Sequence, residues 1–205
     1  MHPNTTTKKL SQKELIPLLD YILSYSKVSE GTLQHLVNKL QVKEIQKGDM
    51  LQYAGDVCDH IYFVAKGILR GYIIDNKREV TTWITAENAM VASIKSFLLH
   101  VPTEENIAAI EDSRLMGIHY DDLQYMYDKF SDFNTAGRRI TEYYYTHAED
   151  RAFICRLSKA TDRYNYFMRN NGHVINRVPL TYIASYLGIR LDSLSRIRKQ
   201  LQGRK

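Results

Sequence analysis

Between Leu180 and Leu201 the chain reads LTYIASYLGIRLDSLSRIRKQL, and its apolar positions fall into two helical stripes separated by one glycine. Leu180, Ile183, Ala184 and Leu187 take the i, i+3, i+4, i+7 spacing of a buried helix face, with small Ala184 where a second helix must approach closely. Gly188 supplies the turn. Beyond it, Leu191, Leu194, Ile197 and Leu201 predict the inner face of a second helix, which leaves Asp192, Ser195, Arg196 and Lys199 together on the outer one. That outer face is polar, basic and short-branched, as a surface that reads the major groove of DNA must be. An arginine can donate two hydrogen bonds to the guanine edge, an aspartate can accept from cytosine, and a serine can bond base edges or phosphate. A helix-turn-helix over 179–201 follows.

The pattern upstream is different. Ser11 to Glu14 forms a capping box ahead of Leu15, Leu18, Leu19, Ile22 and Leu23, and a second amphipathic helix carries Leu33, Leu36, Val37 and Leu40. From Val42 the period shortens to β-type runs: VKEI, MLQY, HIYFVA, ILRGYII and EVTTWI. Gly48-Asp49, Gly55-Asp56, Lys66-Gly67 and Asn76-Lys77 punctuate them. NIAAIE and RLMGIHY add a further pair, so an antiparallel, jelly-roll-like β-roll is expected, ending near Tyr120. The chain turns helical again at Asp121.

A long helical stretch without proline runs from Ser131 to Leu157. Phe133, Ile140, His147 and Ile154 recur every seven residues, with Ala136, Tyr143 and Leu157 at a second position. This spacing predicts a seam for a partner helix and hence a homodimer, whose interface residues would be Phe133, Ile140, Tyr143, His147 and Ile154. Asp150 interrupts the second position, and the competing reading is a helix packed on its own domain. Ser158 is placed to cap the next helix, which runs through Tyr164, Phe167 and Met168 and stops at Asn170-Asn171-Gly172. The expected organisation is α+β: N-terminal helices and roll over 1–130, a long dimerisation helix over 131–157, and a helix-turn-helix domain over 158–205.

Charge is strongly divided along the chain. The formal +5 combines 12 Lys and Arg against 2 acidic residues from Arg151 to Lys205 with 16 basic against 21 acidic residues before them. The C-terminal quarter is therefore the region that attracts a polyanion, with contacts that weaken as salt rises. At 205 residues the chain is long enough for one or two domains with a proper core. Its N-terminus, MHPNTTTKKL, lacks the apolar stretch of a leader, and no run approaches a membrane span, so a cytoplasmic location is expected. Cys58 and Cys155 lie far apart with no CxxC spacing, which argues against a disulfide framework or iron-sulfur ligands and for two buried thiols.

Catalytic constellations do not emerge. The seven histidines (His2, His35, His60, His100, His119, His147 and His173) include no HxH and no ExxH, and no GxSxG, P-loop or GxGxxG occurs. His147 reads as a packed interface residue, not a ligand. Neither enzymatic activity nor a metal, haem or iron-sulfur cluster is expected. Tyrosine is the unusual abundance, 15 residues including Tyr143, Tyr144 and Tyr145 on the long helix.

A Gly-Asp-punctuated roll, a long helix and a C-terminal helix-turn-helix, in that order, resemble the Crp/Fnr superfamily of transcription regulators over residues 30 to 202. IQKGDMLQYAGDVCDHIYFVAKGILRGY resembles the first half of the family's effector roll, and RVPLTYIASYLGIRLDSLSRIRKQL its reader motif. The resemblance implies a winged helix-turn-helix, with base reading at Asp192, Ser195 and Arg196 and phosphate contacts at Ser193 and Lys199. Leu191 departs from the arginine or proline that many members carry at the helix start. As partners it implies double-stranded DNA with a near-palindromic operator, a second copy of the chain and, for an activator, RNA polymerase.

The effector region diverges from members that bind cyclic AMP through a Gly-Glu pair and a later arginine. In MVASIKSFLLHVPTEENIAAIE, Ala92 and Ser93 take the pair's positions, and Glu104 and Glu105 fall around the expected arginine. Carboxylates there repel a buried phosphate, so cyclic AMP in the usual mode is not expected. Lys95 reads as solvent-facing. Ser93, Ser96 and Tyr144 are the candidate effector-facing residues. The family's long helix walls the effector pocket, and its tyrosines here are expected to fill that pocket. The alternative function is a constitutive DNA-binding regulator whose roll is a ligand-free scaffold; an enzyme built on the roll cavity ranks below both.

Overall fold

The computed structural model describes residues 11–202. Two helices, α1 (Gln12–Tyr25) and α2 (Glu30–Lys39), precede eight strands: β1 (Gln41–Ile45), β2 (Met50–Gln52), β3 (His60–Lys66), β4 (Leu69–Asp75), β5 (Arg78–Thr85), β6 (Met90–Val91), β7 (Asn106–Ala109) and β8 (Ser113–His119). A short helix, α3 (Ile94–Leu99), interrupts them between β6 and β7. Then follow α4 (Tyr120–Lys129), α5 (Ser131–Arg156), α6 (Ala160–Asn171), a 3-10 turn (Gly172–Val174), α7 (Leu180–Tyr186) and α8 (Leu191–Gln202).

The strands form two four-stranded antiparallel sheets, in the orders β1-β8-β3-β6 and β2-β7-β4-β5. Alternation along each strand decides what each face buries. Val64 and Leu115 point between the sheets, where they meet Ile45, Leu51, Leu69, Val91 and Ile107. Their neighbours Phe63 and Met116 point outward and are covered by Leu15, Leu18 and Ile22 of α1, Leu36 of α2, Met126 of α4 and Phe133 of α5. With both faces covered, β3 and β8 read as continuous apolar runs. The Ser11 backbone N–H donates to Glu14 Oε2 at 2.8 Å, closing the capping box of α1.

The expected order of elements holds, with several corrections. From residue 158 onward the described residues contain helices and one 3-10 turn, so the strands of the implied wing are not found there. Lys159, not Ser158, is the N-cap of α6. Cys58 is buried as expected, but Cys155 is exposed because it lies on the outer face of α5. Strand β6 and helix α3 were not anticipated: two and six residues are too few to establish a period.

Candidate nucleic-acid interface

Helices α7 and α8 close on Ile183, Ala184, Leu187, Leu194 and Ile197, all buried. Gly188 adopts φ +61°, and a Schellman arrangement ends α7: the Ile189 N–H donates to the Ala184 carbonyl and the Gly188 N–H to the Ser185 carbonyl, both at 3.0 Å. Arg163 of α6 pins this turn, donating from Nε to the Leu157 carbonyl at 2.7 Å and from Nη1 to the Leu187 carbonyl at 3.0 Å. Asp192, Ser195, Arg196 and Lys199 all emerge exposed on one face of α8, and Ser193 is half-buried on its flank. The expected inner face needs one correction, since Leu191 is exposed. As the first residue of α8 it sits at the edge of the stripe centred on Leu194, with no preceding turn to cover it.

The helix-turn-helix is fastened to the roll by groups that sequence reasoning did not single out. Arg177 donates from Nη2 to Glu87 Oε1 and to Glu111 Oε2, each at 2.6 Å. Glu87 Oε1 also accepts the Gly67 N–H at 2.8 Å. This pairing holds the Glu87 carboxyl down at about 2 and raises the already high Arg177 value. Arg70 is buried on the outer side of β4, with its guanidinium 4.2 Å from the Tyr72 ring centroid and 3.7 Å from that of Tyr182 on α7, and it is ion-paired to Glu79. Ser185 Oγ accepts the Thr81 N–H at 2.9 Å. Ile68, Ala86 and Ile110 of the roll share one apolar cluster with Val174, Val178 and Ile183. A charge excess says nothing of such pairing, which becomes visible only when the chain folds.

In the roll, the candidate effector residues are already engaged. Ser93 is buried, with Oγ 2.6 Å from Thr103 Oγ1. Ser96 Oγ accepts the Cys58 N–H at 2.9 Å and donates to the Val101 carbonyl at 2.5 Å. Tyr144 accepts the Met90 N–H at 2.6 Å, and its hydroxyl lies 3.3 Å from that of Tyr21. Of the two carboxylates, Glu104 faces solvent opposite Lys95, 3.9 Å away. Glu105 turns inward to accept from Thr82, and burial raises its pKa. Gly71 makes this possible, because a Cβ there would lie 2.2 Å from the Trp83 ring and 2.7 Å from Glu105 Oε1. No group of three or more His, Cys, Asp or Glu able to hold a metal occurs among the described residues.

Of the expected seam residues of α5, Phe133 and Ile154 are buried within this chain, Ile140 and His147 are half-buried and Tyr143 is exposed. Phe133 is buried beneath α1 and α4, with Ile140 packed against the same core, and Ile154 is buried among the C-terminal helices. Tyr143 lies edge-on to Tyr25 of α1 at 5.7 Å, and His147 edge-on to Tyr143 at 4.3 Å. The outer face of α5 carries Thr141, Tyr145, Ala148, Ala152 and Cys155, all exposed, at alternating spacings of four and three.

Residues 42–130 match the family model of the cyclic nucleotide-binding domain. The chain has the fold of Crp/Fnr transcription regulators. It is similar to FixK2 from Bradyrhizobium japonicum (18% identity, TM-score 0.68, covering 80% of this chain and 85% of that one). A double mutant of CooA from Carboxydothermus hydrogenoformans superposes at TM-score 0.67 with 16% identity, over 95% of this chain and 86% of that one. A protein from Eubacterium rectale assigned to the Crp/Fnr family of transcriptional regulators gives 0.65 with 16% identity, over 86% and 85%. No curated protein matches the sequence. No helix among the described residues is long and apolar enough to cross a membrane.

Proposed function

We propose that the protein is a homodimeric, sequence-specific DNA-binding transcription regulator. The observation that carries this reading is the exposed face of α8, where Asp192, Ser195, Arg196 and Lys199 stand clear of a helix-turn-helix closed on buried Ile183, Ala184, Leu187, Leu194 and Ile197. Asp192, Ser195 and Arg196 would meet base edges, with Ser193 and Lys199 at phosphate. Dimerisation uses the outer stripe of α5, Thr141, Tyr145, Ala148, Ala152 and Cys155, whose alternating spacing is that of a helix-pair seam. Two-fold symmetry then sets two α8 helices in successive major grooves roughly 34 Å apart, on a near-palindromic operator. No catalytic step is assigned to the chain, and an activating form would add RNA polymerase as a partner.

The residues of the roll do not fit a cyclic phosphate held in the usual way. Ser93 is committed to Thr103, and an acidic side chain, Glu105, occupies the inward position downstream of α3. A second reading, in which the roll is a ligand-free scaffold around a constitutive reader, is favoured by the anchoring of Tyr144 to the Met90 N–H. Selection of bound fragments from random duplex DNA tests the function directly. Enrichment of an inverted repeat with half-site centres about one helical turn apart is the expected result. Failure to retain any duplex at low salt overturns it.

A further inference from the structure

Helix α6, the segment after the 3-10 turn and helix α8 frame a cavity of about 400 Å³. Its apolar lining comes from Met168 of α6, Ile175 beyond the turn and Leu201 of α8. Its polar lining comes from the same three elements: Tyr164 and Asn165, then Asn176, then Arg198. At about 100° per residue, Arg198 stands about 160° around the axis of α8 from Arg196. It is half-buried, on the flank beside Leu194 and Leu201, and so separate from the exposed face described above.

The polar groups of this cavity have bonding capacity that the fold leaves unused. Tyr164 is only 6% exposed, yet its hydroxyl has no hydrogen-bond partner among the described residues and is not one of the side-chain atoms sealed from solvent without a partner. A hydroxyl on so buried a ring therefore opens onto the cavity that the ring lines. Arg198 has neither a hydrogen bond nor an ion pair among the described residues. No acidic side chain lines the cavity, and Asp162 and Asp192 are the only acidic residues after Asp150. Leaving a half-buried guanidinium without a counter-charge is costly. The rim is also set before any ligand arrives. Val174 is buried, the Arg177 N–H donates to its carbonyl at 2.9 Å, and the Arg177 side chain is gripped by Glu87 and Glu111, so Ile175 and Asn176 lie between two anchored residues.

Small-molecule sites are preformed hollows of about 300–1,000 Å³, mostly apolar, with a few polar groups that orient the ligand. One cation in the lining calls for one negative charge, and a guanidinium matches the planar, two-oxygen edge of a carboxylate. We infer that this cavity is a binding site for a small monocarboxylic acid with an apolar body. The carboxylate pairs with Arg198, the body packs against Met168, Ile175 and Leu201, and the Tyr164 hydroxyl and the two asparagine amides supply the remaining polar contacts. A bound acid would bridge α6 and α8 directly, with no part of the roll in contact with it. The site does not depend on α8 meeting DNA.

Isothermal titration calorimetry of the full chain in the absence of DNA tests this, with phenylacetate, benzoate and 4-methylpentanoate as probes and their uncharged amides as counterparts. At least one acid is expected to bind saturably at one site per chain, and its amide about tenfold more weakly or worse. Arg198→Gln should raise the dissociation constant about tenfold or more, and Tyr164→Phe about threefold. Lys159→Gln removes an exposed positive charge at the start of α6, outside the cavity, and should leave the constant within about twofold. Arg198 has no partner in the described fold, so its replacement is expected to leave the thermal midpoint near that of wild type. Acid and amide bound alike, or acid binding unchanged in Arg198→Gln, overturns the site. No saturable binding by any of the three acids at millimolar concentration overturns it as well, and if Arg198→Gln then weakens binding to all duplexes alike, the guanidinium serves phosphate instead.

Discussion

Arg177, in the segment that leads into α7, holds Glu87 of the roll in a bidentate pair, with Nη2 and Nη1 at 2.6 and 2.9 Å from the two carboxylate oxygens. Glu111 takes the remaining side of the same guanidinium. Replacing Arg177 with alanine leaves two carboxylates facing each other where one cation neutralised both. The groups are partly open to water, so the expected loss is about 1 to 2 kcal/mol of unfolding free energy. Urea denaturation measures it. Amide exchange along α7 should quicken as well, because the variant loosens the attachment of the helix-turn-helix to the roll; unchanged exchange there would count against this fastening role.

The same pair has a pH signature. Glu87 is held at about 2 in the folded protein against an ordinary 4.5, first through its hydrogen bonds to Arg177. A carboxyl with a depressed folded value binds fewer protons than it does in the unfolded chain, so its contribution is complete above the unfolded value and fades as pH falls towards the folded one. The stability advantage of wild type over Glu87→Gln should therefore be constant between pH 7 and pH 5 and shrink between about pH 4.5 and pH 2. Urea midpoints of the two proteins across that range decide it, and an advantage that persists undiminished to the lowest pH contradicts the assignment.

The contrast between these groups and the helix-turn-helix shows what the sequence carries locally. Leu180, Ile183, Ala184 and Leu187 lie within two turns of one helix, so their periodicity alone shows which side is buried. Gly188 follows at the position where a left-handed residue must end that helix. Arg177, by contrast, is 66 positions from Glu111 and 90 from Glu87, and Arg70 meets Tyr182 only because α7 lies along β5. Pairings of that range leave no periodic trace. The α5 repeat is ambiguous for a related reason. Phe133, Ile140 and Ile154 do mark a buried face, but the same seven-residue spacing serves a helix packed on its own subunit and one packed on a partner. The smaller residues at Ala148 and Ala152 carried the exposed stripe with too little hydrophobic contrast to register.

Cyclic AMP supplies a prediction for the roll. With Ser93 bonded to Thr103, Ser96 to the Cys58 N–H and Tyr144 to the Met90 N–H, a ligand entering here must break existing bonds and approach the inward carboxylate of Glu105. Millimolar cyclic AMP is expected to leave the thermal midpoint unchanged. Binding at a dissociation constant a hundredfold below the added concentration would stabilise the fold by about 2.7 kcal/mol and shift it visibly. Tyr144→Phe should cost about 1 kcal/mol, through loss of the acceptor for a partly buried amide. If that variant instead gains cyclic AMP binding, the tyrosine was the barrier and Glu105 was not.

Arg196 and Lys199 share the outer face of α8 but should fail differently. Arg196 is pre-oriented, its Nε 3.4 Å from the Asp192 carbonyl one turn earlier, which leaves the two terminal nitrogens of its fork for a base edge. Lys199 carries a single ammonium on a flexible stem, suited to a phosphate. Arg196→Ala is expected to lose about 1 to 3 kcal/mol at the preferred operator and to relax selectivity at one base pair of each half-site. Lys199→Ala should weaken binding to all duplexes alike and reduce the slope of log affinity against log salt by about one per subunit. Titrations of both variants against the selected operator and its single-base substitutions, at several salt concentrations, separate the two effects. Should Arg196→Ala keep the full preference while Lys199→Ala loses it, α8 would have to sit in the groove rotated from the orientation assigned to it, with base contacts shifted towards its C-terminal end.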